Sequence, residues 1–112
     1  MKLGIILQSC HPEIVWNAFR FGNFSRSMGD EVRLFLIGQG VFITTGAHDG
    51  SLDAGKFKVS EQLNKFAEKR GTIYACGSCL ENHGLTPAEM YTVATLGNLY
   101  EIVKESDKVV TF

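Results

Sequence analysis

Residues 72–84, TIYACGSCLENHG, hold the turn on which the fold depends. Thr72–Ala75 is a short β-prone run that ends abruptly in Cys76-Gly77-Ser78-Cys79. A helical-looking segment carrying His83 follows. Gly77 lets the backbone turn close to the first sulfur. A strand that passes directly into a helix in this way is one step of a βα succession, and the flanking sequence repeats the step.

Lys2–Gln8, KLGIILQ, barely alternates between apolar and polar residues and reads as a strand buried on both faces. Pro12 and Glu13 suit the first turn of a helix, Pro by its fixed φ and Glu by the helix dipole. Ile14, Val15, Ala18, Phe19, Gly22 and Met28 continue at helical spacing until Gly29 stops it. Glu31–Ile37 is a second strand and Lys108–Phe112 the last. Between Gly38 and Lys56 lie five of the twelve glycines, and a short helix around Val41–Thr44 followed by a loop is expected there. The apolar segment GVFIT within it suits an oligomer contact or core. Val59, Leu63, Phe66 and Ala67 mark a helix ending at Gly71, with Lys65, Lys69 and Arg70 near its end, where cations complement the dipole. Thr86 and Pro87 predict a helix start, Thr as N-cap. Leu99, Ile102 and Val103 form a further helical stripe after Gly97.

The order β-α-β-(α)-α-β-α-α-β predicts a mainly parallel sheet covered by helices, a single three-layer α/β domain over residues 1–112. At 112 residues the chain is long enough for a hydrophobic core without staples. Apolar residues at 45% and charged residues at 21% are an ordinary globular balance. A net charge of −1 gives no electrostatic footprint for nucleic acid or an anionic membrane. No run approaches the roughly 20 apolar residues of a membrane span. The N-terminal apolar run is too short for a signal peptide, and a cytoplasmic location is expected. In that compartment three cysteines fit reduced, reactive or metal-binding roles better than a disulfide framework.

Ligands of parallel sheets gather at the carboxyl ends of the strands. Three segments arrive there: Ser9-Cys10-His11, Gly38-Gln39-Gly40 and Cys76-Gly77-Ser78-Cys79. If a helix starts near Gly77, its free N–H groups favour a thiolate at Cys76. Cys79 then lies one turn inside, with His83 four residues further along the same face. Four readings of the pair stay open: buried small hydrophobes, a metal clamp, a redox couple, or one activated thiolate with an auxiliary thiol. A structural zinc site needs two more ligands from Cys10, His11, His48 and His83, and no second C-x-x-C or H-x₃₋₅-H supplies them. A thioredoxin-type motif needs proline near Ser78 and tryptophan near Ala75. His11 suits an exposed residue at the helix start or an anion contact at a pocket mouth. Gln39 and Gly40 line that pocket through backbone groups or form the turn, and His48 and Asp49 suit a loop surface. No phosphate-cradling glycine motif is present.

The segments GIILQSCHPEIVWNAFRFGNFSRSMGDEV, FLIGQGVF, IYACGSCLENHGL and SDKVVTF together resemble the DsrE/DsrF family of small sulfur-relay proteins, which includes TusD-like subunits. The resemblance spans nearly the whole chain. It implies a flavodoxin-like fold and oligomers, trimers or hexamers, some of mixed paralogous subunits. It further implies a sulfurtransferase-like carrier that accepts sulfane sulfur as a cysteine persulfide from one protein and passes it to another, toward tRNA thiolation or sulfur metabolism. By position the sulfur-accepting cysteine is Cys76, and Cys79 is the second cysteine of a variant motif. No cofactor is implied. The resemblance also admits a second role, a non-catalytic structural or regulatory subunit whose cysteines are structural.

Overall fold

The computed structural model describes residues 1–69 and 71–112. Its strands are β1 (Lys2–Leu7), β2 (Glu31–Leu36), β3 (Thr72–Cys76), β4 (Thr92–Ala94) and β5 (Lys108–Thr111). Its helices are α1 (Pro12–Ser27), α2 (Val59–Glu68), α3 (Gly77–Asn82) and α4 (Leu96–Glu105). The strands form one five-stranded sheet in the order β4-β3-β2-β1-β5. Every pairing in it is parallel.

β1 is an interior strand, between β2 and β5, which explains its unbroken apolar run: Leu3, Ile5 and Leu7 are almost fully buried. Helices cover both faces. On one, a Cβ at Gly22 of α1 would meet Ile5 and Phe66 of α2 at 3.2 and 3.1 Å. On the other, a Cβ at Gly4 would meet Ile102 of α4 at 3.0 Å. The two glycines thus let α1 and α4 approach opposite faces of one strand, and the domain has three layers. Phe19 and Phe66, both fully buried, meet edge to face at 5.7 Å between α1 and α2. Burying such a ring stabilises the fold by about 1.5–3 kcal/mol.

Three expectations are corrected. No helix begins at Pro87: residues 85–91 are irregular and lead into β4. Long-range hydrogen bonds hold that segment, from Ala88 N–H to the Thr44 carbonyl (3.0 Å) and from Tyr91 Oη to the Ile43 carbonyl (3.3 Å). The last helix starts before Gly97, where Thr95 and Asn98 form a capping box. The stretch after β2 is a 3₁₀ helix over the whole of Gly38–Thr45, followed by a 3₁₀ turn at Ala47–Asp49. Val41 and Ile43 are fully buried there, so the GVFIT segment is mostly core. α2 ends at Glu68, and Arg70, one of the cations expected near that end, lies outside the described residues.

Candidate functional site

β3 lies between β2 and β4, with Ala75 opposite Leu36 and Cys76 opposite Ala94. Ile73 and Ala75 are buried, which anchors the strand and delivers Cys76 to its carboxyl end. The chain then turns at once: Cys76 is the N-cap of α3, with φ −60° and ψ 115°. Ser, Thr, Asp and Asn are the usual occupants of this position because their oxygens accept from free N–H groups. A thiol stands there instead.

Cys76 is 7% exposed. Burial alone would push its thiol up. Hydrogen bonding to Ser78 and Cys79, together with the backbone N–H groups of Cys79 and Ser78, outweighs that and holds the thiol below its ordinary value. The Ser78 Oγ stands 3.3 Å from the Cys76 Sγ. Cys79 moves the other way. Its contact with Cys76 raises it first, burial adds to the rise, and the Gly38 N–H partly opposes both. That N–H donates to the Cys79 Sγ at 3.4 Å. Two thiols of the same short helix therefore have opposite tendencies, Cys76 toward thiolate and Cys79 toward thiol.

Gly38 can reach Cys79 because of how the chain leaves β2. Its φ of +57° is left-handed, a conformation that favours glycine. Two residues later Gly40 crosses the end of β1 so closely that a Cβ there would lie 2.3 Å from the Leu7 carbonyl oxygen. The backbone N–H of Gly40 closes the turn on the Ile37 carbonyl at 3.0 Å. This clamp places the Gly38 N–H over the second cysteine. The sequence brings Gly38-Gln39-Gly40 to this end of the sheet, but nothing in it shows that the Gly38 N–H meets Cys79.

The remaining expected pocket residues disperse. Gly77 begins α3 and a Cβ on it would meet the Ala94 carbonyl at 3.3 Å, so it belongs to the turn. Gln39 is exposed and Gly40 is buried in the clamp. His83 caps the far end of α3 and packs against Phe42, with ring centroids 4.7 Å apart and the rings tilted by 49°. Ser9, Cys10 and His11 follow β1, two strands from β3, or about 10 Å at ordinary strand spacing. There the Ser9 Oγ accepts from the His11 N–H at 2.9 Å, Cys10 packs half-buried against the core, and His11 is exposed. Among the described residues, no hydrogen bond joins these three to the cysteine pair. Nor does any group of three His, Cys, Asp or Glu side chains there converge as metal ligands.

A separate open groove of about 580 Å³ lies along α1, with Ile14, Phe21, Phe24, Arg20, Lys65 and Phe112 among its lining residues. It shares no residue with the cysteine site. No helix among the described residues is long and apolar enough to cross a membrane.

The model of the DsrE/DsrF-like family matches residues 1–112. Protein MJ0989 of Methanocaldococcus jannaschii is 31% identical, with both chains covered in full. Protein MK0008 of Methanopyrus kandleri is 31% identical over 89% of this chain and 83% of its own. Neither relative's name states an activity. Among solved structures, the ychN protein of E. coli superposes with a TM-score of 0.81 at 22% identity over the full length of both chains. At that identity the likeness speaks for the fold alone. The match over the full chain settles the family: this chain is a member of the DsrE/DsrF-like family.

Proposed function

We propose that this protein is a small sulfur carrier, a sulfurtransferase-like relay in which Cys76 accepts sulfane sulfur as a persulfide and hands it on. Family membership supports a sulfur-relay role. The single observation that carries the assignment to Cys76 is its place: its thiol stands at the N-cap of α3, at the carboxyl end of β3, with the Ser78 Oγ 3.3 Å from its sulfur, a setting that favours the thiolate. A thiolate is the form that attacks sulfur.

In the loading step the Cys76 thiolate attacks the outer sulfur of a donor persulfide. The new Sγ–S bond forms, the donor's S–S bond breaks, and the donor leaves as a thiolate with the bonding pair. In the transfer step an acceptor thiolate attacks the outer sulfur in the same manner and Cys76 leaves as a thiolate. The Ser78 hydroxyl and the N–H groups of Ser78 and Cys79 stabilise negative charge on the Cys76 sulfur at the start and at the end. No cofactor takes part in either step. The natural setting of this chemistry is the reducing cytoplasm, with donor and acceptor proteins as partners and an oligomer, of this chain alone or with paralogous subunits, as the working form.

One observation favours a second reading, a structural subunit with inert cysteines: Cys76 belongs to the buried core cluster. A single-turnover transfer experiment separates the two. Protein is loaded with a sulfane-sulfur donor, freed of donor and mixed with an acceptor thiol. Sulfur is expected on the acceptor for Cys79→Ser, which keeps Cys76 as the sole thiol of the pair, and not for Cys76→Ser. Equal transfer by both variants removes Cys76 from the role, and no transfer by either supports the structural subunit.

A further inference from the structure

The Cys79 thiol has no part in the two transfer steps, yet it is placed for a third. The i, i+3 spacing sets the Cα atoms of Cys76 and Cys79 about 5 Å apart by helical geometry, inside the range of about 4.4–6.8 Å that disulfides span. Both thiols are free, and each shifts the other, Cys76 downward and Cys79 upward. The Gly38 N–H, donated at 3.4 Å, is a hydrogen bond that specifically favours a thiolate at Cys79. A cysteine that merely filled core space would need no such donor, and the left-handed turn at Gly38 supplies one.

We infer that Cys79 is a resolving cysteine: when no acceptor is present, it attacks the sulfur of Cys76 in the persulfide, releasing hydrogen sulfide and leaving a Cys76–Cys79 disulfide. The step balances. The Cys79 thiol gives up its proton and its sulfur forms a bond to the Cys76 Sγ. The bond between that Sγ and the sulfane sulfur breaks, and hydrosulfide leaves with the electron pair and takes up a proton. The sulfane sulfur is reduced by two electrons and the two cysteines are oxidised by two. Return to the dithiol requires a two-electron thiol or dithiol reductant from outside the protein. Sulfane sulfur is then the substrate class and sulfide the product class of a second activity, sulfane-sulfur reduction, at the same site.

The side-chain hydrogen bond with Cys76 is the first cause of the raised Cys79 thiol, and the Gly38 N–H opposes it. An acceptor that arrives quickly takes the sulfur; otherwise Cys79 discharges it.

This inference rests on the carrier role of Cys76, and the test separates the two. Wild type, Cys79→Ser and Cys76→Ser are treated anaerobically with a sulfane-sulfur donor without added reductant, then freed of donor. Intact mass and released sulfide are followed. The expected result is a stable one-sulfur gain in Cys79→Ser with no sulfide. Wild type should instead release one equivalent of sulfide, lose two hydrogens in mass and yield a peptide cross-linked between Cys76 and Cys79. Should Cys79→Ser load while wild type keeps its persulfide and releases no sulfide, the resolving role is overturned and the carrier stands. Should neither load, both fall.

Discussion

Gly40→Ala probes the clamp that places the Gly38 N–H on Cys79. The added methyl would lie 2.3 Å from the Leu7 carbonyl oxygen, 0.7 Å inside the 3.0 Å below which real Cβ contacts essentially never fall, and 3.2 Å from the Leu7 carbonyl carbon. Both atoms are backbone of the interior strand β1, so neither can swing aside. The 3₁₀ segment must lift instead. Overpacking of this kind costs about 1–3 kcal/mol. Gly38→Ala is the control. Its Cβ meets nothing within 4 Å, and its φ of +57° leaves only the left-handed penalty of about 1–2 kcal/mol. Urea denaturation of both variants gives the stability losses. Alkylation of Cys79 with a thiol reagent, followed by peptide mass, reports whether the Gly38 N–H still meets the sulfur. Gly40→Ala should lose stability and also change the Cys79 alkylation rate, because lifting the segment breaks the 3.4 Å contact. Stability within about 0.5 kcal/mol of wild type, the range of ordinary surface changes, together with unchanged Cys79 reactivity, would refute the close approach and the coupling drawn from it.

Ser78→Ala removes the hydroxyl 3.3 Å from the Cys76 sulfur and should slow Cys76 alkylation several-fold at neutral pH, while leaving the denaturation midpoint nearly unchanged. Because the Cys76 thiol is held below its ordinary value and Cys79 above, Cys76 should remain reactive at pH values where Cys79 is silent. Its rate should fall only as pH drops through the lowered value, a profile readable by pH-stepped alkylation. Thr95→Ala breaks the capping box of α4 and should cost about 1 kcal/mol by chemical denaturation. Phe66→Ala empties a fully buried ring position against Phe19 and should cost about 3–5 kcal/mol, with no change in the Cys76 profile at temperatures where the protein stays folded.

The parts of the fold that were legible from sequence are those whose pattern is local. Lys2–Leu7 shows its interior place through an apolar run without alternation, and α1 is legible through its apolar periodicity between Pro12 and Gly29. β4 was hidden because Thr92–Ala94 is only three residues long, and Thr86-Pro87 imitates a helix start. What decides that region is the pair of hydrogen bonds from Ala88 and Tyr91 to Thr44 and Ile43, across more than forty residues of chain. The start of α4 was missed for a chemical reason: Asn98 serves where the usual capping box has Glu or Gln. At the site, the cysteine spacing at a strand end announced a βα turn, and Cys76 stands at it. The partner of Cys79 was not legible, since Gly38 lies 41 residues earlier and contributes a backbone group that no side chain advertises. His83 shares the helix of Cys79 but is held by Phe42 at the opposite end, a contact set by tertiary packing.

The most direct measurement is peptide-level mass spectrometry of Cys79→Ser after exposure to a sulfane-sulfur donor and capping of all thiols and persulfides with an alkylating reagent. Cys76 as the carrier predicts one additional sulfur, on the peptide containing Cys76, with Cys10 capped as an unmodified thiol. An additional sulfur on Cys10 instead, or none on any cysteine of the folded protein, would contradict it.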